Sequence, residues 1–360
     1  MRKKLLFGLV IFFLVLVMAV GAAAAEKEKP RKVVLKMAVA IPTNMPLMDL
    51  LPKFAEQVGS ASEGSIEVKI YQPGQIVPAF EIQEAVSKGQ INAGWSGTVY
   101  LSGKFPAAAL FTTIPFGPNV TEFMGWYYYG NGQKLMQEMY DRGGFNVKVW
   151  PMMFLPTESG GWFRKEIKSV EDFKGLRLRW PGLGGKVLAK LGASVSTIPG
   201  GEIFQALERG AIDGTEFVNP IGDTPLGLWK VAQYNYYPGW HQTCTAMEMV
   251  INKKTWEGMT KGQQAVINMA VEAFNFRCIA MTEGLAGGIL KENAEKHGVK
   301  NLLYPEPVLQ ALNAAWLEVV QEEAAKDEFF KKVWDDLQAY MAEYDIWGCR
   351  SYSALPSRCK

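Results

Sequence analysis

The strongest constraint on this chain is an internal repetition. The segment Glu81-Ile-Gln-Glu-Ala-Val-Ser-Lys-Gly-Gln-Ile-Asn92 returns as Glu202-Ile-Phe-Gln-Ala-Leu-Glu-Arg-Gly-Ala-Ile-Asp213, with five of twelve positions identical and Lys/Arg, Val/Leu and Asn/Asp as conservative matches. Each copy reads as an amphipathic helix with a basic residue in its last turn, then a glycine for the left-handed turn, then a strand. A Pro-Gly pair, Pro73-Gly74 or Pro199-Gly200, precedes each copy. A unit used twice with the same lead-in predicts two similar α/β lobes, and 360 residues suffice for two domains.

Around the copies, strand and helix patterns alternate, the order that builds an α/β sheet. The spacing predicts strands over 33–40, 66–71, 90–95, 145–153, 176–180 and 247–251, and helices over 47–60, 79–88, 120–141 and 186–191. Residues 261–297 and 307–344 read as mostly helical, the latter with Leu309, Leu312, Trp316, Val319, Val320 and Phe329 on one apolar face. The expected organisation is a first lobe of 31–155 plus about 244–300, a second lobe of 156–243, C-terminal helices over 301–348 and a tail over 349–360. Ligands of open α/β sheets bind beyond the carboxyl ends of the strands. Those ends are Trp95 and Glu216, so 95–100 and 216–220 are expected to face a cleft between the lobes.

Arg2, Lys3 and Lys4 precede an apolar run from Leu5 to Val20 and a Gly-Ala cluster ending at Ala25, which reads as a cleaved secretory signal over 1–25. An uncleaved anchor is the alternative, because the run is about long enough to span a bilayer. Removing that segment leaves 35 basic against 36 acidic residues, so the +2 of the full sequence misleads. A near-neutral chain without basic runs has no electrostatic footprint for nucleic acid. The four cysteines form no C-x-x-C pair, which argues against zinc and thioredoxin-type chemistry. Cys349 and Cys359 either close a short loop or stay as free thiols, and Cys244 and Cys278 read as buried small hydrophobes.

Chemistry concentrates at the expected cleft. Arg179 ends a short strand, where its guanidinium can hold a carboxylate through two parallel hydrogen bonds. Glu158, Glu216 and Gln242 offer oxygens of the kind hard cations take. Two carboxylates and a bound carboxylate against one arginine leave a charge of −2, which a divalent ion neutralises, so Ca²⁺ is expected with Na⁺ as the alternative. Gly182-Leu-Gly-Gly-Lys-Val187 lacks the third glycine of a dinucleotide fingerprint, and no P-loop occurs. The turn instead lets a helix N-terminus approach an anion. His241 reads as a structural histidine in an aromatic turn. No nucleophile and base assemble from neighbouring motifs. The enzyme-class alternative is a secreted glycoside hydrolase using Glu158 and Glu216.

The stretches Glu158-Ser-Gly-Gly-Trp-Phe, Phe173-Lys-Gly-Leu-Arg-Leu-Arg179, 203–216 and Tyr236-Tyr-Pro-Gly-Trp-His241, with Tyr100 and Thr113-Ile-Pro-Phe-Gly117, resemble a TRAP transporter solute-binding protein. They are most similar to the branch that takes small 2-oxo and 2-hydroxy monocarboxylates with a metal ion. The resemblance implies a periplasmic, non-catalytic protein of two lobes that closes on an organic acid and delivers it to a membrane permease. It implies Arg179 as the carboxylate-binding residue and Glu158, Glu216, the Phe217 carbonyl and Gln242 as cation ligands. It also implies Tyr100, Asn219 and Trp240 around the ligand, and a homodimer formed through a C-terminal helix. The sequence departs from keto-acid binders of that branch, which carry Gln and Glu where Glu158 and Gln242 stand, and a tryptophan where Phe217 stands.

Overall fold

The two copies of the repeated segment fold alike. In the computed structural model, which describes residues 31–351, each is a 3₁₀ turn (Ala79–Glu81 or Gly200–Glu202) running into a helix (Ile82–Ser87 or Ile203–Glu208). Their entries match within a degree, at Pro78 (φ −56°, ψ 144°) and Pro199 (φ −57°, ψ 145°). Their exits are Lys88 and Arg209, followed by Gly89 and Gly210 at φ 73° and 67°, a conformation open to glycine at no steric cost. The proline equivalent to Pro199 is therefore Pro78. Pro73-Gly74 belongs to a separate turn, in which Gly74 N–H donates to the Val77 carbonyl.

The strands in chain order are β1 (Val33–Val39), β2 (Ile66–Tyr71), β3 (Ala93–Ser96), β4 (Val147–Leu155), β5 (Gly161–Phe163) and β6 (Arg177–Arg179). They continue as β7 (Ser194–Ser196), β8 (Gly214–Thr215), β9 (Tyr234–Tyr237), β10 (Thr245–Asn252) and β11 (Lys300–Leu303). One sheet has the order β2-β1-β3-β10-β4 and the other β11-β9-β5-β8-β6-β7. In each, the strand of the repeated unit pairs in parallel with a neighbour, β3 with β1 and β8 with β6. Strand β10 returns antiparallel between β3 and β4. Pro151, which donates no ladder bond, is tolerated because β4 lies at the edge. Asn275 repairs the ladder there by accepting from Met153 N–H and donating to the Pro151 carbonyl.

The chain passes from the first sheet to the second between β4 and β5 and comes back between β9 and β10. These two crossings touch, with Glu158 N–H donating to the Gln242 carbonyl at 3.1 Å. A third passage is the helix Lys261–His297, which packs on β4 and the helix Leu50–Ala61 and, at its far end, on the short helix Pro220–Asp223 of the second lobe. There Asn293 donates to Thr224. The stretch 244–300 thus spans both lobes instead of belonging to the first. Lys300–Leu303, expected among C-terminal helices, is a strand on the edge of the second sheet.

Two expected long helices are broken. Residues 120–141 form Val120–Tyr128 and Gly132–Arg142, separated at Gly130-Asn131, both poor helix formers. Residues 307–344 form Glu306–Lys326 and Glu328–Ser351. Asp327 leaves the helical region (φ −136°, ψ 113°) and its carboxylate accepts from Phe330 N–H at 2.6 Å, capping the second helix. The first of this pair is tied to the second lobe by Lys186–Glu323 at 2.5 Å and by Lys190 with Glu318 and Glu322. The second is tied to the first lobe, where Trp126 and Asn131 donate to Asp336 and Lys332 pairs with Glu138.

Cys244 and Cys278 are buried free thiols, as expected. Cys349 is disulfide-bonded. The proposed export signal and Cys359 lie outside the described residues. Among the described residues no helix is long and apolar enough to cross a membrane.

Candidate functional site

Arg179 stands at the last position of β6, and the parallel neighbour β8 leads directly into Glu216, so the sheet register brings the two together. Both are about 2 % exposed or less. The guanidinium pairs with Glu216 Oε1, and its Nη1 and Nε donate to the carbonyls of Glu216 (3.0 Å) and Ile198 (3.1 Å). Nη2 takes no part in these bonds. Its neighbour Arg177 faces the exterior and pairs with Asp213, so alternation along β6 decides which arginine enters the cleft.

The crossings supply the rest. Glu158 Oε1 accepts from Gln242 Nε2 (2.8 Å) and Thr245 Oγ1 (2.6 Å), while Oε2 is buried without a hydrogen-bond partner. His241 Nε2 lies 3.5 Å from Glu158 Oε2 and 3.7 Å from Glu216 Oε2. Both ring nitrogens of this buried histidine lack hydrogen-bond partners. Its ring packs edge-on against Trp180 and Trp240.

Burial, and then the Glu216 charge, push the Glu158 carboxyl well above the usual carboxylate range. Burial pushes Glu216 up as well, but Arg179 and then His241 outweigh it and hold this carboxyl below its ordinary value. Burial raises the Tyr100 phenol, opposed by Arg179, so the hydroxyl remains a donor. Asp223, raised mainly by burial to about 7, accepts from Ser159 Oγ, Trp162 Nε1 and Val218 N–H. It thereby fastens the residue after Glu158 to the loop that follows Glu216.

Arg179, Glu158, Glu216, Phe217, Gln242 and Tyr100 all line one cavity of about 30 Å³ between the sheets. Thr113, whose buried Oγ1 has no partner, lines it too. Asn219 and Trp240 do not line it. Asn219 caps the helix Pro220–Asp223 through Ile221 N–H, and Trp240 stacks on Trp180. The Phe217 ring lies 5.8 Å from the Arg179 guanidinium carbon. Pro181 places the N-terminus of the helix Gly182–Lys190 at the cavity wall. Sequence reasoning left His241 as structural and passed over Thr245 and Asp223. The cluster Glu158–Glu216–His241, with one donor atom from each within 4.8 Å of the others, has the composition of a cation seat. These residues fit the cation expected from the charge balance, because Glu158 Oε2 is a buried carboxyl oxygen without a hydrogen-bond partner beside a second carboxylate, and a bound cation would favour its ionised form.

Residues 37–327 match the family described as bacterial extracellular solute-binding protein, family 7, and the chain belongs to that family. It is 36% identical over 293 residues, 81% of this chain and 80% of the relative, to a monocarboxylate 2-oxoacid-binding periplasmic protein of Nostoc sp.. A TRAP periplasmic solute-binding protein of Pseudoalteromonas atlantica, solved with sodium and pyruvate, superposes with a TM-score of 0.84 at 34% identity, covering 88% of this chain and 96% of that one. One from Colwellia psychrerythraea, solved with calcium and pyruvate, gives the same TM-score and identity over 89% and 98%. The family consists of receptors and not enzymes, so the glycoside hydrolase alternative falls. The geometry agrees, because Glu216 is committed to Arg179.

Proposed function

We propose that this protein is the periplasmic receptor of a TRAP transporter that captures a small 2-oxo or 2-hydroxy monocarboxylate together with a cation and hands it to the membrane permease. The observation that carries this reading is the buried guanidinium of Arg179 set beside two carboxylates, one with an unbonded oxygen, in a cavity between two lobes. Arg179 holds the ligand carboxylate. Tyr100 donates to its oxygens, and the apolar side chains of Ile41, Val99 and Met247 bound its short carbon tail. Glu158, Glu216, the Phe217 carbonyl and Gln242 are the cation ligands the reading assigns. When bound, the cation neutralises the two carboxylates and polarises the carboxylate and the adjacent oxygen of the acid. The pyruvate complexes of both solved relatives, one with sodium and one with calcium, support this.

Export through the cleaved segment 1–25 and homodimer formation complete the reading. The dimer rests on exposed apolar residues of the two C-terminal helices, Leu317, Ile346 and Trp347, and light scattering at micromolar concentration checks it. For the function itself, protein stripped with chelator is titrated with pyruvate and lactate, with and without Ca²⁺ or Na⁺. Mass action gives about 2.7 kcal/mol of stabilisation at a hundredfold excess over Kd, read as a rise in Tm without product formation. No rise with any short 2-oxo or 2-hydroxy acid in the presence of either cation rejects the function.

A further inference from the structure

The histidine that the sequence presents as structural makes no close hydrogen bond through either ring nitrogen, and Nε2 meets only the two carboxylates. A buried imidazole nitrogen without a hydrogen bond is costly, and His241 has two. Stacking against Trp180 and Trp240 fixes the ring plane but satisfies neither nitrogen. What Nε2 does face is the pair of carboxylate oxygens, Glu158 Oε2 and Glu216 Oε2, that remain after the other oxygens are taken by Gln242, Thr245 and Arg179.

The spacing is that of atoms sharing a cation. Adjacent ligands about 2.3–2.6 Å from a six-coordinate ion lie roughly 3.3–3.7 Å from one another, and Nε2 is 3.5 and 3.7 Å from the two oxygens. We propose that His241 Nε2 is a direct ligand of the bound cation, which makes the seat a mixed nitrogen–oxygen site that accepts borderline divalent ions such as Mn²⁺ and Co²⁺ alongside Ca²⁺. This rests on the receptor function proposed above and adds to it the class of ion. Carboxylate and carbonyl oxygens alone suit Ca²⁺ and Na⁺, whereas an imidazole nitrogen raises affinity along the first transition row. Glu158 and Glu216 each contribute one oxygen. Gln242, assigned above as a ligand, has a second role, because its Nε2 holds Glu158 Oε1 and so turns Oε2 toward His241.

The test uses the full mature chain, stripped with chelator and reloaded with Mn²⁺ and pyruvate. Pulsed electron paramagnetic resonance is expected to show modulation from a directly coordinated imidazole nitrogen, and His241→Gln is expected to abolish it. By calorimetry, His241→Gln lowers Co²⁺ affinity by about tenfold or more, a larger factor than its loss of Ca²⁺ affinity. Free imidazole added to His241→Ala restores the nitrogen signal, which separates lost ligation from a damaged fold. An Mn²⁺ spectrum without nitrogen coupling, or equal losses of Co²⁺ and Ca²⁺ affinity in His241→Gln, overturns the inference. If that happens while Ca²⁺-supported pyruvate binding persists, the receptor function stands. If no organic acid binds with any cation, the function itself falls.

Discussion

The two copies of the helix–glycine–strand unit have nearly identical backbones and deliver opposite chemistry. After β3 the chain carries Val99 and Tyr100 to the cavity, an apolar wall and a hydroxyl. After β8 it carries Glu216, which the neighbouring strand meets with Arg179. Glu158 and Gln242 join from the crossings, and His241 faces the two carboxylates without lining the cavity itself. The first lobe contributes no charged side chain to the cavity lining, although it has a buried carboxylate of its own in Glu248. That group accepts from Gln83 and Tyr140, and burial raises it to about 8, so it is neutral at pH 7. The same fold thus keeps one carboxylate ionised by placing an arginine beside it and another protonated by placing none there. One lobe thus brings charge to the cavity, and the other brings hydroxyls and an apolar wall.

The largest effect should follow from removing the charge. Arg179→Ala is expected to cost about 2–4 kcal/mol of ligand affinity, because Glu216 and the ligand carboxylate are both left without their partner. Calorimetry with pyruvate and Ca²⁺ measures it, and near-wild-type affinity would take Arg179 out of the site. A smaller effect probes the meeting of the lobes. Gly182, at φ 70° in the second lobe, is so close to Val99 and Thr113 of the first that a Cβ would lie 2.7 Å from Val99 Cγ2. Gly182→Ala is expected to cost about 1–2 kcal/mol in ligand affinity and apo stability combined, and unchanged titrations would show that the lobes do not need this contact.

The smallest effect on binding is expected at Glu248, where the effect falls on stability instead. Its folded pKa of about 8 lies above the ordinary carboxylate value. The folded state therefore holds a proton that the unfolded chain has released, and stability is lost as pH rises from about 4 through 8. Glu248→Gln should match wild type at pH 4 and melt higher at pH 8.5, with pyruvate affinity unchanged. A melting difference that does not vary with pH would show that Glu248 is ionised in the folded protein.

Much of this was legible because it is written in short-range pattern. The repeated unit, the helix ending at His297 and the alternation that separates Arg177 from Arg179 all follow from residue types a few positions apart. The breaks at Gly130-Asn131 and Asp327 lie within otherwise regular periodicities, where two poor helix formers in the one case and a single cap in the other outweigh the pattern. Strand β11 was invisible because four residues acquire strand character only by pairing with β9. His241, Thr245 and Asp223 escaped for another reason. Their roles are set by contacts between residues 61 to 87 positions apart, and nothing local marks a histidine whose nitrogens will be left facing two carboxylates.

The interruption at Asp327 gives the C-terminal helices a mechanical role. Because the helix before it is fastened to the second lobe and the helix after it to the first, any rotation of one lobe on the other must bend the chain there, on the outside of the molecule. Were ligand capture to turn one lobe on the other, a spectroscopic label on each helix would register it as a bend at Asp327.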